Sequence, residues 1–139
     1  MNTAISAVRV AVVQLDPQVG TQHSQVNMEN SLDLALQAAL NGATLIVLLE
    51  LANTGYFFAN RQDAYEHAEP VPEGPSVQAW IEFAEQHQVY LVAGLAERDG
   101  MQLFDTAVLL GPGGFIGKYR KAHLWNREKL WFTPGNLGF

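Results

Sequence analysis

Two short runs, Val8 to Leu15 and Ala43 to Leu49, are apolar at nearly every position, with no alternation of polar residues. A strand of that kind has no face to offer water, so it belongs inside a sheet covered on both sides. Between the runs, from about Ser24 to Leu40, the residues Met28, Leu32, Ala35, Leu36 and Ala39 recur at helical spacing, and Asn41-Gly42 supplies a stop. Strand, helix and strand in this order predict a right-handed crossover between two parallel strands.

The rest of the chain continues the pattern. Asn53-Thr54-Gly55 marks a turn, and Arg61 to His67 has the length of a short helix. Gly74-Pro75 opens a clearer helix whose inward stripe is Val77, Trp80, Ile81 and Ala84. Val89 to Ala96 reads as a third strand, and Asp99-Gly100 as a hairpin into Leu103 to Leu110. Gly111 to Gly114 then turns the chain into Phe115 to Arg120, a hairpin and not a phosphate loop, because strands flank it. Lys121 to Phe139 has four aromatics and no period, as in a packed functional loop. Residues 1–139 therefore predict a single α/β domain, a mixed sheet with helices on at least one face.

Composition narrows the function. Hydrophobic residues make up 48% and charged ones 16%, a globular balance. The net charge of −6 argues against a nucleic-acid partner, which would need clustered Lys and Arg. No apolar run approaches the roughly 18 to 20 residues that span a bilayer, and Met1 to Ser6 lack the zones of a secretory signal. A cytoplasmic protein without a membrane partner is the expectation. With zero cysteines, these residues can form no disulfide, thiolate metal site or cysteine nucleophile.

Chemistry enters where strands run out. Glu50 closes the apolar run Leu45-Ile46-Val47-Leu48-Leu49, and Lys121 follows Tyr119-Arg120 at the end of the last strand-like segment. A carboxylate that acts as a base is helped by burial, and the end of an apolar strand predicts it. The stretch Gly42-Ala43-Thr44-Leu45-Ile46-Val47-Leu48-Leu49-Glu50-Leu51 resembles the first glutamate motif of the nitrilase superfamily, the carbon–nitrogen hydrolases. Gly117-Lys118-Tyr119-Arg120-Lys121-Ala122-His123-Leu124 resembles its lysine motif, and Glu128-Lys129-Leu130-Trp131-Phe132-Thr133-Pro134-Gly135 the segment of its second glutamate. Ala11 to Leu15 and Asp105 to Val108 agree with it, so the likeness covers nearly the whole chain.

That resemblance implies an α-β-β-α sandwich, of which residues 1–139 form the N-terminal half, a single partial domain. It implies hydrolysis of a carbon–nitrogen bond in a small amide, amidase or ω-amidase-like, through a Glu-Lys-Cys triad with no metal or other cofactor. Glu50 is then the general base, Lys121 the oxyanion partner and Glu128 the supporting carboxylate, with Tyr56 and Trp125 lining the substrate pocket. The cysteine is expected outside these residues, after a further strand, so the 139-residue chain alone is expected to be inactive. A homo-oligomer is implied as well. Two alternatives stay open: a non-catalytic remnant that binds a partner half, and a nitrile hydrolase of the same superfamily. His123 and Glu128 are not at ligand spacing, so no metal site is read from them, and His123 is expected to be packed. The chain departs from the family pattern at Leu49, where proline is usual, and at Asp105, where asparagine is common. Proline would restrict how the chain enters position 50.

Overall fold

The computed structural model describes residues 7–138. Its elements are β1 (Val10–Val12), α1 (Ser24–Leu40), β2 (Leu45–Val47), α2 (Arg61–His67), α3 (Pro75–His87), β3 (Tyr90–Asp99), β4 (Gln102–Gly111) and β5 (Gly114–Arg120). Short 3₁₀ turns occupy Thr21–His23 and Asn126–Leu130. The strands form one sheet in the order β1-β2-β3-β4-β5, parallel across the first three and antiparallel across the last three. This is the mixed α/β sheet expected from the pattern. No helix among the described residues is long and apolar enough to cross a membrane.

Local chemistry accounts for the helix ends. The Asn41 side chain donates to the Gln37 carbonyl at 2.8 Å and closes α1. Asn60 caps α2 by accepting the Asp63 N–H at 3.0 Å, and Pro75 occupies the first turn of α3, where no N–H is needed. The inward face of α1 differs from the predicted stripe. Ala35 is fully buried, but Asn27 and Ser31 share its line, while Met28, Leu32, Leu36 and Ala39 pack at the edge. Polar residues hold that central place because their hydrogen bonds are made internally. Ser31 accepts from Trp80 Nε1 at 3.1 Å, and Asn27 donates to the Asn53 carbonyl at 3.1 Å.

The helical side of the sheet carries the main core, with Ile46, Leu91, Leu95 and Leu110 packed against Val77 and Trp80. On the other side, the described residues leave one face of the first two strands uncovered, as a half-domain is expected to. These strands are also shorter than predicted, Val10–Val12 and Leu45–Val47. By alternation and register, Val10, Val12, Leu45, Val47, Tyr90 and Val92 share one face. Val10 is 52% exposed, Val12 80% and Tyr90 48%. The apolar run gives β1 and β2 two greasy faces, and the described residues cover one of them.

A second, smaller cluster fastens the loops that carry the site. Leu51 and Phe58, after β2, pack with Trp131 and Phe132 near the end of the chain, and with Ala96 and Leu103 of β3 and β4. It brings segments some seventy residues apart in sequence, such as Tyr56 and Glu128, to the same rim of the sheet.

Candidate active site

Glu50 leaves the sheet where β2 ends, and its main chain is clamped by β3. Gly94 donates its N–H to the Leu49 carbonyl at 3.0 Å and accepts from the Ala52 N–H at 2.8 Å. The approach is so close that a Cβ on Gly94 would lie 2.6 Å from Glu50 Cα. This pairing supplies the placement that Leu49, standing where proline is usual, would otherwise leave to local stiffness. The expected burial of Glu50 is not observed: its side chain is 44% exposed, because it reaches toward the open face of the sheet.

Lys121 continues β5. Its N–H bonds to the Asp105 carbonyl at 2.8 Å and its carbonyl accepts from Gly135 at 2.9 Å. Gly135 is required there, since a Cβ would meet the Arg120 carbonyl oxygen at 2.0 Å. The Lys121 ammonium donates to Glu50 Oε1 at 2.6 Å and to Glu128 Oε1 at 2.8 Å, so the three residues named from sequence converge. Partial burial alone would lower the Lys121 pKa, but its hydrogen bonds to Glu128 and Glu50 outweigh that and push it up.

Glu128 is buried inside the 3₁₀ turn. Besides Lys121 it accepts from the Trp125 main-chain N–H at 2.7 Å and from the Tyr56 hydroxyl. Burial raises its pKa, and these bonds from Lys121, Tyr56 and Trp125 outweigh it, holding the carboxyl below its usual range. Tyr56 moves the other way: burial and the Glu128 carboxylate hold its phenol protonated well above the ordinary range.

A cleft of about 210 Å³ opens beside these groups, lined by Glu50, Gly94, Asp105, Ala107, Tyr119 and Lys121. Tyr56 and Glu50 border a neighbouring hollow with Asp16 and Phe57. Trp125 contributes its main chain to Glu128, while the residue is 66% exposed and lines neither hollow. His123, expected to be packed, is exposed. Carboxylate oxygens of Glu50, Asp105 and Glu128 lie within 4.8 Å of one another, the kind of set that holds a cation. Here the Lys121 ammonium, 2.6 to 3.6 Å from all three, is that cation.

Sequence reasoning passed over two features. One is Asp105, which is 4% exposed and whose carboxyl is raised to about 8 by burial first, then by hydrogen bonding to Glu50 and by its charge. Its signal was its place in a motif, one strand away from Lys121. The other is the buried Glu97, which accepts from Arg120 at 2.6 and 3.0 Å, from Thr106 at 2.6 Å and from Lys118. Lys118, which reads as a surface charge, is thus half of an ion pair. Arg120 also stacks over Phe104 at 3.9 Å and bonds Asn136 at 2.9 Å, anchoring the residue next to Lys121.

Comparison with known proteins agrees with the fold and with the family resemblance. The profile of the carbon-nitrogen hydrolase family matches residues 9–139. A nitrilase of Pyrococcus abyssi is 46% identical over 95% of this chain and 50% of its own length. The omega-amidase NIT2 of Homo sapiens is 31% identical over 97% of this chain and 46% of its own. Among solved structures, a carbon-nitrogen hydrolase from Helicobacter pylori superposes with a TM-score of 0.79 at 28% identity, over 95% of this chain and 46% of that one. The chain spans about half the length of the curated relatives it matches. A matched profile over almost every residue, on a sheet that superposes with a solved relative, makes this chain a member of the carbon-nitrogen hydrolase family.

Proposed function

We propose that these residues form the base and oxyanion-binding part of a cofactor-free amidase acting on a small amide. The observation that carries the reading is the Lys121 ammonium held at 2.6 Å from Glu50 and 2.8 Å from Glu128 on the edge of a cleft. Amides resist attack, so the reading calls for a strong nucleophile; a thiolate is one near neutral pH, and these 139 residues contain no cysteine. The relatives are about twice as long, and the reading takes the cysteine from the remainder of such a domain.

In that arrangement Glu50 accepts the thiol proton as sulfur attacks the amide carbon. The carbonyl electron pair moves onto oxygen, and the fixed charge of Lys121 meets it there. The intermediate collapses, the carbon–nitrogen bond breaks, and the proton on Glu50 passes to the departing nitrogen. Glu50 then takes a proton from water, whose oxygen displaces sulfur from the thioester and releases the acid, and the proton passes from Glu50 to the departing sulfur to restore the thiol. Glu128, saturated by Lys121, Tyr56 and Trp125, keeps the ammonium charged and aimed. Homo-oligomerisation belongs to the same reading, as a property implied for whole members.

The test is a fusion of residues 1–139 to the remaining half of the Pyrococcus abyssi relative, assayed for ammonia release from small amides. Activity that disappears in Glu50→Gln supports the reading. A folded fusion that leaves every amide intact would sink it. The likeness to a nitrilase makes nitriles the second substrate class for the same assay.

A further inference from the structure

Asp105 lies on β4 opposite Ala96, on the face of the sheet that also presents Ala107 and Tyr119. Its Oδ2 is 3.6 Å from the Lys121 ammonium, beyond hydrogen-bonding distance, and is buried without accepting a hydrogen bond. Glu50 and Glu128 have taken the short contacts to that ammonium, at 2.6 and 2.8 Å. All three carboxylates lie within 4.8 Å of one another, so one ammonium against three full negative charges would leave a net −2 in one small space. Glu128 has three donors and Glu50 is open to water, which leaves the buried Asp105 Oδ2 as the carboxylate oxygen with neither.

Among the described residues, the elements packed around Asp105 supply no further positive charge to it. The neighbouring strand β3 offers Gly94 and Ala96 on this face, and Arg98 beyond them stacks on Tyr65 at 5.0 Å. From β5 come Tyr119 and Lys121, from the segment after β2 comes Glu50, and from the 3₁₀ turn comes Glu128, whose remaining partner is Tyr56. Glu97 with its cations occupies the opposite face. The cheapest way to bury Asp105 is therefore with its proton, and the acceptor facing it is Glu50.

We propose that Asp105 is a positioning residue of the hydrolase site: it stays protonated and donates that proton to the Glu50 carboxylate, holding the base beside Lys121. This rests on the amidase reading and adds to it a limit on the alkaline side. Once Asp105 ionises, a donor to Glu50 becomes a repelling charge, and Lys121 gains a competing partner 3.6 Å away.

Infrared spectroscopy of the 139-residue chain labelled with ¹³C in its aspartate carboxyls tests the proton directly. Asp105 is the buried one of the five aspartates, so the expected result is a protonated-acid carbonyl band at neutral pH that fades at alkaline pH and is missing in Asp105→Asn. Absence of the band at neutral pH overturns the proposal. In the fusion described above, activity is expected to fall about tenfold per pH unit beyond the titration. Asp105→Asn, which keeps a donor that cannot ionise, is expected to extend the plateau to higher pH. An unchanged alkaline fall in that variant overturns the positioning role even if the band is seen. The band needs no turnover, so a band without hydrolysis defeats the amidase reading and the role together, whereas hydrolysis without a band defeats the role alone.

Discussion

Lys121 is the residue on which the site closes, because among the described residues its ammonium is the positive charge bonded to both Glu50 and Glu128. Replacing it with Met removes the proposed oxyanion partner and is expected to lower kcat of the fusion by about 10²–10³-fold, measured as ammonia release. The same change strands the buried Glu128, so thermal unfolding should show a loss as well. The Asp105 shift sets a pH dependence of stability. Its carboxyl is raised in the fold from 3.8 to about 8, so the native state holds a proton that the unfolded chain releases. Its favourable contribution is then full below pH 3.8 and is lost as pH rises toward about 8. Denaturant titrations across that window should show the slope, and Asp105→Asn should flatten it. Glu128, shifted down, acts oppositely and weakens the fold only in acid, below its ordinary 4.5.

At the scale of elements, the β2–β3 pairing places Glu50 and the β4–β5 pairing places Lys121. Gly94→Ala would drive a methyl into Glu50 Cα and the Leu49 carbonyl. It is expected to cost about 1–3 kcal/mol of stability and to depress activity further by moving the proposed base, Glu50, so both should be measured on the same variant. On the other side of the sheet, Ser31→Ala would leave the Trp80 indole N–H buried without its acceptor. A loss of about 1–3 kcal/mol is expected in chemical denaturation. These elements were largely legible beforehand. Ser24–Leu40 and Arg61–His67 match their predicted spans, since apolar period and end signals are local properties. The inward faces were less legible, because Ser31 and Asn27 are core residues only by virtue of partners on other elements.

For the whole molecule, the open face dominates the expected behaviour. Val10, Val12, Tyr90 and Ile116 are all about half exposed or more, and contiguous apolar surface of that kind drives association. Residues 1–139 alone are expected to elute as a self-associated species and to bind an apolar dye, and Val10→Lys with Val12→Lys should reduce both. A monomer with a sharp, cooperative melt would count against this reading of the face.

The order of elements, the parallel-then-antiparallel sheet and the residues at the ends of β2 and β5 follow from the sequence, because hydrophobic period, turn residues and motif spacing are written along the chain. The tertiary structure decided the rest. It set Asp105 in a place without a donor, turned Lys118 from a surface charge into the partner of Glu97, left Glu50 half exposed, and gave Trp125 its main-chain bond to Glu128. Each of these depends on which groups meet across strands distant in sequence, and charge, burial and proton affinity are properties of such meetings and not of single residues.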